Sequence, residues 1–120
     1  MPFKALLKEL VLSVEGATGA IFLASDGEAV QSYSETDAER LQLRGAYVTV
    51  MLKGCRASAG RLKVKEIGYM VVEYDGASFI VQELNSGYLV LLELDPSANI
   101  GQAIHRIQPV VSHLRREIAA

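Results

Sequence analysis

Few side chains in this sequence could attack, ligate or carry protons, and their spacing argues against each such use. Cys55 is the only cysteine. A thiolate nucleophile needs a base and a lowered pKa. Cys55 has Lys53 and Arg56 beside it, but both histidines, His105 and His113, are remote in sequence. A free cysteine buried in the core is the expectation. His105 and His113 sit eight residues apart on a helical stretch, more than two turns, too far to chelate one ion, and no Cys or acid cluster completes a tetrahedral set. Surface histidines are expected. Asp26, Asp75 and Asp95 fall at turns, where carboxylates accept backbone bonds. The glycines of Gly16-Ala17-Thr18-Gly19-Ala20 leave a helix and open a strand. Phosphate loops run the other way, from strand into a helix N-terminus, so a tight turn with close helix packing is expected. No catalytic residue, metal site or cofactor is assigned.

The elements around these residues follow from apolar spacing. Residues 2–14 read as a helix with Pro2 in its first turn and Phe3, Leu6, Leu7, Leu10 and Val14 on one stripe, stopped by Gly16. Strands follow over 17–24 and 29–33, joined at Asp26-Gly27. Thr36 and Glu39 have capping-box spacing for a long helix over 37–59. Three more strands, 65–74, 77–84 and 88–94, are joined by turns at Asp75-Gly76 and Asn85-Ser86-Gly87. Asn99 caps a last helix carrying Ile100, Ala103, Ile104, Ile107, Val111, Leu114 and Ile118, with Pro109 expected to kink or split it. The later strands are apolar on both faces, so both faces need covering. The predicted fold is α+β, in the order α-β-β-α-β-β-β-α: a five-stranded antiparallel sheet with the central helix on one face and the terminal helices on the other. Residues 1–120 are expected to form one domain.

The central helix has more apolar surface than one sheet can cover. Leu41, Val48, Met51, Leu52 and Cys55 form a stripe expected to face the core. Leu43, Tyr47, Val50, Gly54 and Ala57 form a second, displaced around the axis. Gly45 turns toward the sheet. Gly54 costs about 1 kcal/mol relative to Ala within a helix and makes sense where another backbone comes close. Two copies of this helix packing across a two-fold axis would use the second stripe.

A net charge of −2 is too small to argue for nucleic acid or an anionic membrane through the total alone. Seven of the twelve basic residues lie between Arg40 and Lys65, whereas Glu66 to Asp95 holds six acids and no Lys or Arg, which predicts a basic and an acidic side. A solvated helix face or an acidic protein partner fits the basic segment better than nucleic acid, since Tyr47 is nearly the only aromatic within it. The stretch Ala5–Val14, broken by Lys8 and Glu9, lacks a signal peptide's apolar core, and no run reaches the ~18 apolar residues of a membrane span. With the lone thiol, a cytoplasmic location and no membrane insertion are expected.

The stretch Val14-Glu15-Gly16-Ala17-Thr18-Gly19-Ala20-Ile21-Phe22-Leu23, followed by Asp26-Gly27 and Ala29-Val30, resembles the opening motif of the Roadblock/dynein light chain family. The order of elements matches over essentially the whole chain. The resemblance implies a homodimer in which the central helices pair and the third strands meet, placing Leu43, Tyr47, Val50, Gly54, Ala57, Ile67 and Tyr69 at the interface. It also implies function through partners. Bacterial members act with a small Ras-like GTPase, accelerating hydrolysis by positioning the GTPase's own residues; eukaryotic relatives serve dynein or scaffold GTPases on endomembranes. Such proteins hydrolyse nothing themselves and bind no cofactor. The expectation is therefore a non-enzymatic, dimeric partner of a Ras-like GTPase, with Arg40, Arg44, Lys53 and Arg56 making charge contacts and no arginine assigned as a finger. A passive scaffold and a small-ligand sensing module are the competing readings.

Overall fold

The computed structural model describes residues 3–65 and 67–120, so the expected roles of Pro2 and Glu66 lie outside the described residues. Helix α1 (Phe3–Ser13) buries Leu7, Leu10 and Val11, the inward side of its apolar stripe. Strands β1 (Ala17–Leu23) and β2 (Ala29–Ser34) form a hairpin, and helix α2 spans Ala38–Arg61. Strands β3 (Tyr69–Tyr74), β4 (Ala77–Glu83) and β5 (Leu89–Leu94) make a meander that leads into α3 (Ile100–Ala119). The sheet order is β2-β1-β5-β4-β3, with every neighbouring pair antiparallel.

Period-two alternation sorts the strand residues onto two covered faces. Ala20, Phe22, Ile80, Val90, Leu92 and Leu94 pack beneath α1 and α3 with Leu7, Ile107 and Leu114. Ile21, Leu23, Phe79, Val81, Leu89 and Leu91 pack beneath Leu41, Val48 and Leu52 of α2. All six residues of β5 are buried, as a strand covered on both faces requires. The predicted α+β architecture is the observed one.

Local details differ where chemistry close to the chain decides. The amino-terminal cap of α2 is Asp37, not Thr36. Asp37 has extended backbone angles, and its Oδ1 accepts from the amides of Glu39 at 3.1 Å and Arg40 at 3.2 Å. Thr36 faces back toward Ser34, whose hydroxyl accepts the Thr36 amide at 3.1 Å. Pro109 does not divide α3, which runs unbroken from Ile100 to Ala119. Pro109 lies on the exposed side, where water can reach the carbonyl its missing N–H would have bonded. Gly16 has φ +88°, and a side chain there would begin 2.8 Å from the backbone of Ala98. Gly16 thus makes the tight turn expected, and Gly19, already within β1, lies close beneath Leu41, where a side chain would begin 2.9 Å from its Cδ2.

Helix α2 ends in a Schellman turn: the amide of Lys63 donates to Gly60 O at 3.1 Å and that of Val64 to Ala59 O at 2.9 Å. Lys63 holds the left-handed conformation, φ 62°, that this motif usually gives to glycine. We expect Lys63→Gly to stabilise the protein by about 0.5–1 kcal/mol, the relief of backbone strain exceeding the added unfolded-state entropy. Urea denaturation with an unchanged m-value checks it.

Candidate functional site

The outward side of α2 and the outer edges of the two end strands, β2 and β3, lack partners among the described residues, and the first lies beside the edge of β3. Helix α2 outruns the sheet. Leu52 is its last buried residue, and from Lys53 to Arg61 every residue is exposed except the half-buried Ala59; past Arg56, the last residue with a side-chain bond to the sheet, the helix projects by about 7 Å at ~1.5 Å per residue. Met51 and Cys55, expected in the core stripe, are therefore exposed. Met51 lies on the flank, and the Cys55 thiol touches only the edge of the sheet, with Sγ 3.5 Å from Met70 Sδ.

Leu43, Tyr47, Val50, Gly54 and Ala57 all lie exposed on α2, and Val50 is 68% exposed. A side chain on Gly54 would meet nothing within 4 Å, whereas one on Gly45 would reach Leu23 at 3.4 Å. Gly45 faces the sheet at ordinary contact distance, and nothing within the chain stands over Gly54. Arg44, Tyr47, Val48, Met51, Val72, Tyr74 and Phe79 line a shallow apolar cleft between α2 and β3.

Strand β3 pairs only with β4, so its far edge presents free backbone groups. Its register places Met70 and Val72 opposite Val81 and Phe79, on the α2 side. Tyr69 and Val71 lie opposite Gln82 and Ile80, on the α3 side, and both are exposed. Ile67 is half-buried against the α2-side core. The seven residues expected at one interface thus divide: five on the outer side of α2, Ile67 beneath it, and Tyr69 across the sheet.

The four basic residues expected to meet a partner divide as well. Arg44 Nη1 lies 2.9 Å from Glu93 Oε2. Glu93 is only 5% exposed and also accepts from the Thr18 hydroxyl at 2.7 Å. The Arg44 guanidinium sits 5.6 Å from the ring centre of Tyr74. Burial raises the Tyr74 phenol above its ordinary pKa, while Arg44 pulls it the other way. Arg56 Nε donates to Glu83 Oε2 at 2.9 Å. Arg40 and Lys53 are exposed and make no ion pair among the described residues. The basic and acidic blocks of the sequence do not form opposite sides of the molecule; at Arg44–Glu93 and Arg56–Glu83 they face one another. Neither pair was legible in the sequence, being separated by 49 and 27 residues.

The chemistry-bearing residues remain apart. His105 is exposed, while His113 is half-buried with Nε2 3.6 Å from Glu117, a correction to the expectation of two surface histidines. Asp26 and Asp95 accept backbone amides in their turns, as expected. Among the described residues no group of His, Cys, Asp and Glu could hold a metal ion, and no helix is long and apolar enough to cross a membrane.

Many solved structures share this architecture, among them three Roadblock-type proteins. A Roadblock/LC7 domain from Streptomyces avermitilis matches with a TM-score of 0.89 over 98% of both chains, at 19% identity. MglB from Myxococcus xanthus matches at 0.85 over 97% of this chain and 94% of its own, at 14% identity. MglC from the same organism matches at 0.69 over 98% and 99%, at 24% identity. The fold is that of Roadblock/LC7 domains. No family profile and no curated protein matches the chain by sequence.

Proposed function

We propose that this protein is a non-enzymatic homodimer that binds a small Ras-like GTPase and regulates its hydrolysis of GTP. The observation that supports this most is the apolar outer side of α2, running from Leu43 through Tyr47 and Val50 to Ala57 with no intramolecular cover. Exposed apolar stretches of this kind mark interaction surfaces. A two-fold axis beside β3 would pair its free edge with that of a second copy and bring the two α2 helices side by side, with Gly54 allowing close approach. Tyr69 and Val71 would then meet the partner on the opposite face of the joined sheet. The likeness in fold to Roadblock/LC7 domains, MglB and MglC supports the same reading.

The proposal gives the charged contacts to Arg40 and Lys53, which are free to meet acidic groups of the GTPase. Arg44 and Arg56 hold α2 on its own sheet and act by positioning it. A protein with no catalytic cluster accelerates hydrolysis by ordering the GTPase's residues around the nucleotide, and positioning of that kind is worth orders of magnitude. With a Ras-like GTPase from the same organism, single-turnover hydrolysis should rise by about tenfold or more at saturating protein. Arg40→Glu/Lys53→Glu should weaken complex formation without altering the dimer. Binding without a rate change would leave a scaffold; neither binding nor rate change would remove the reading.

A further inference from the structure

The turn that leaves α2 carries a surface the function above does not use. Residues 61–65 read Arg-Leu-Lys-Val-Lys, all exposed. Leu62 is 77% exposed and Val64 48%, an unusual position for two branched aliphatic side chains flanked on every side by cations. Neither lines any of the five main clefts among the described residues. The segment is not a loose loop. Amides of Leu62, Lys63 and Val64 donate to Ser58, Ala59 and Gly60 carbonyls over 2.9–3.2 Å, so the turn is held on the end of a projecting helix. Beyond it, Ile67 and Gly68 border a groove that also holds Arg56 and Arg115. The acid facing that groove, Glu83, is engaged by Arg56, and Arg115 Nη2 donates to the Glu83 carbonyl at 3.0 Å, so the free cations are those of the turn itself. Glu66 follows in the sequence, leaving residues 61–66 with a formal +2.

From this we infer that the α2–β3 turn is a peripheral docking tip for membranes rich in anionic lipid. Arg61, Lys63 and Lys65 answer the negative headgroups, while Leu62 and Val64 enter the boundary between headgroups and acyl chains. Charge and shape select this partner. An acidic protein would meet the cations, but a specific protein interface needs complementary area of roughly 1,000 Å² or more. Two apolar side chains standing out on a turn offer no concave surface to fill. A bilayer interface accepts such a wedge without a matching pocket and adds attraction for each nearby cation. The inference does not depend on the GTPase reading.

Flotation of the full-length protein with vesicles tests it, comparing phosphatidylcholine alone with phosphatidylcholine containing roughly 30% phosphatidylserine. Protein should float with the anionic vesicles only, and release as salt is raised beyond ~0.3 M. Lys63→Gln/Lys65→Gln should weaken binding about 25-fold, each cation near the surface being worth roughly fivefold. Leu62→Ser should weaken it about tenfold. Both variants alter exposed side chains, so melting temperature and oligomeric state should stay as in the wild type. Failure to float with anionic vesicles overturns the inference. So does salt-sensitive binding indifferent to Leu62→Ser, which would be a plain charge effect. A change in dimer affinity on Leu62→Ser would assign the turn to self-association and overturn it equally.

Discussion

Val50→Glu is expected to leave the protein monomeric at concentrations where the wild type is a dimer, raising the dissociation constant by more than about a thousandfold. In the proposed pairing α2 meets its own copy across a two-fold axis, so one substitution acts twice. Each copy loses the burial of a valine, about 1.5 kcal/mol or more, and brings an unpaired carboxylate into a drying interface opposite its symmetry mate. The same change costs the isolated chain almost nothing. Val50 is 68% exposed, exposed substitutions fall within about ±0.5 kcal/mol, and Glu has the higher helix propensity. Light scattering should therefore report half the mass with far-ultraviolet dichroism unchanged. The concentration dependence of the melting temperature should vanish, because association no longer stabilises the folded state. Gly54→Arg provides a second route, since the open space at Gly54 admits a side chain in the monomer and a facing helix would not. A wild type that is monomeric near 100 μM, an ordinary affinity limit for a functional dimer, would end the pairing.

The sequence made the layers legible because its evidence is periodic. Alternation in Leu89-Val90-Leu91-Leu92 showed two dry faces, and both are covered. The orientation of Gly45 toward the sheet was likewise readable from helical spacing. Periodicity reports an angle around an axis, however, and not how far the partner extends along it. Cys55 lies within about 20° of the buried Val48 around the axis yet is exposed, because it sits two turns further along, where α2 reaches the edge of the sheet at Met70. Strand parity had the same limit. Tyr69 was readable as opposed to Met70, but which helix lay on either side depended on pairing across the meander, visible only in the register. The acids of β4 and β5 looked like a separate charged surface until Glu83 and Glu93 were seen facing α2.

The Arg44–Glu93 pair carries the second large expectation: Arg44→Met should destabilise the protein by about 3 kcal/mol. Removing one member of a buried ion pair leaves the other desolvated and unmatched, at a typical cost of ~3–5 kcal/mol; the lower end applies because the Arg44 head is partly exposed. Glu93 would keep only the Thr18 hydroxyl at 2.7 Å, and the Tyr74 ring would lose the guanidinium stacked near it. Arg44→Met/Glu93→Gln should recover more than half of the loss, since the amide retains an acceptor for Thr18 without a charge to solvate. Urea melts of the three variants measure this, and a loss below about 0.5 kcal/mol in Arg44→Met would mean that water solvates Glu93 in place of the arginine. The double variant also separates structure from recognition. If Arg44 acts by seating α2 on the sheet, the recovered double variant should stimulate the GTPase like the wild type. If its guanidinium contacts the GTPase directly, stimulation should stay lost although stability has returned.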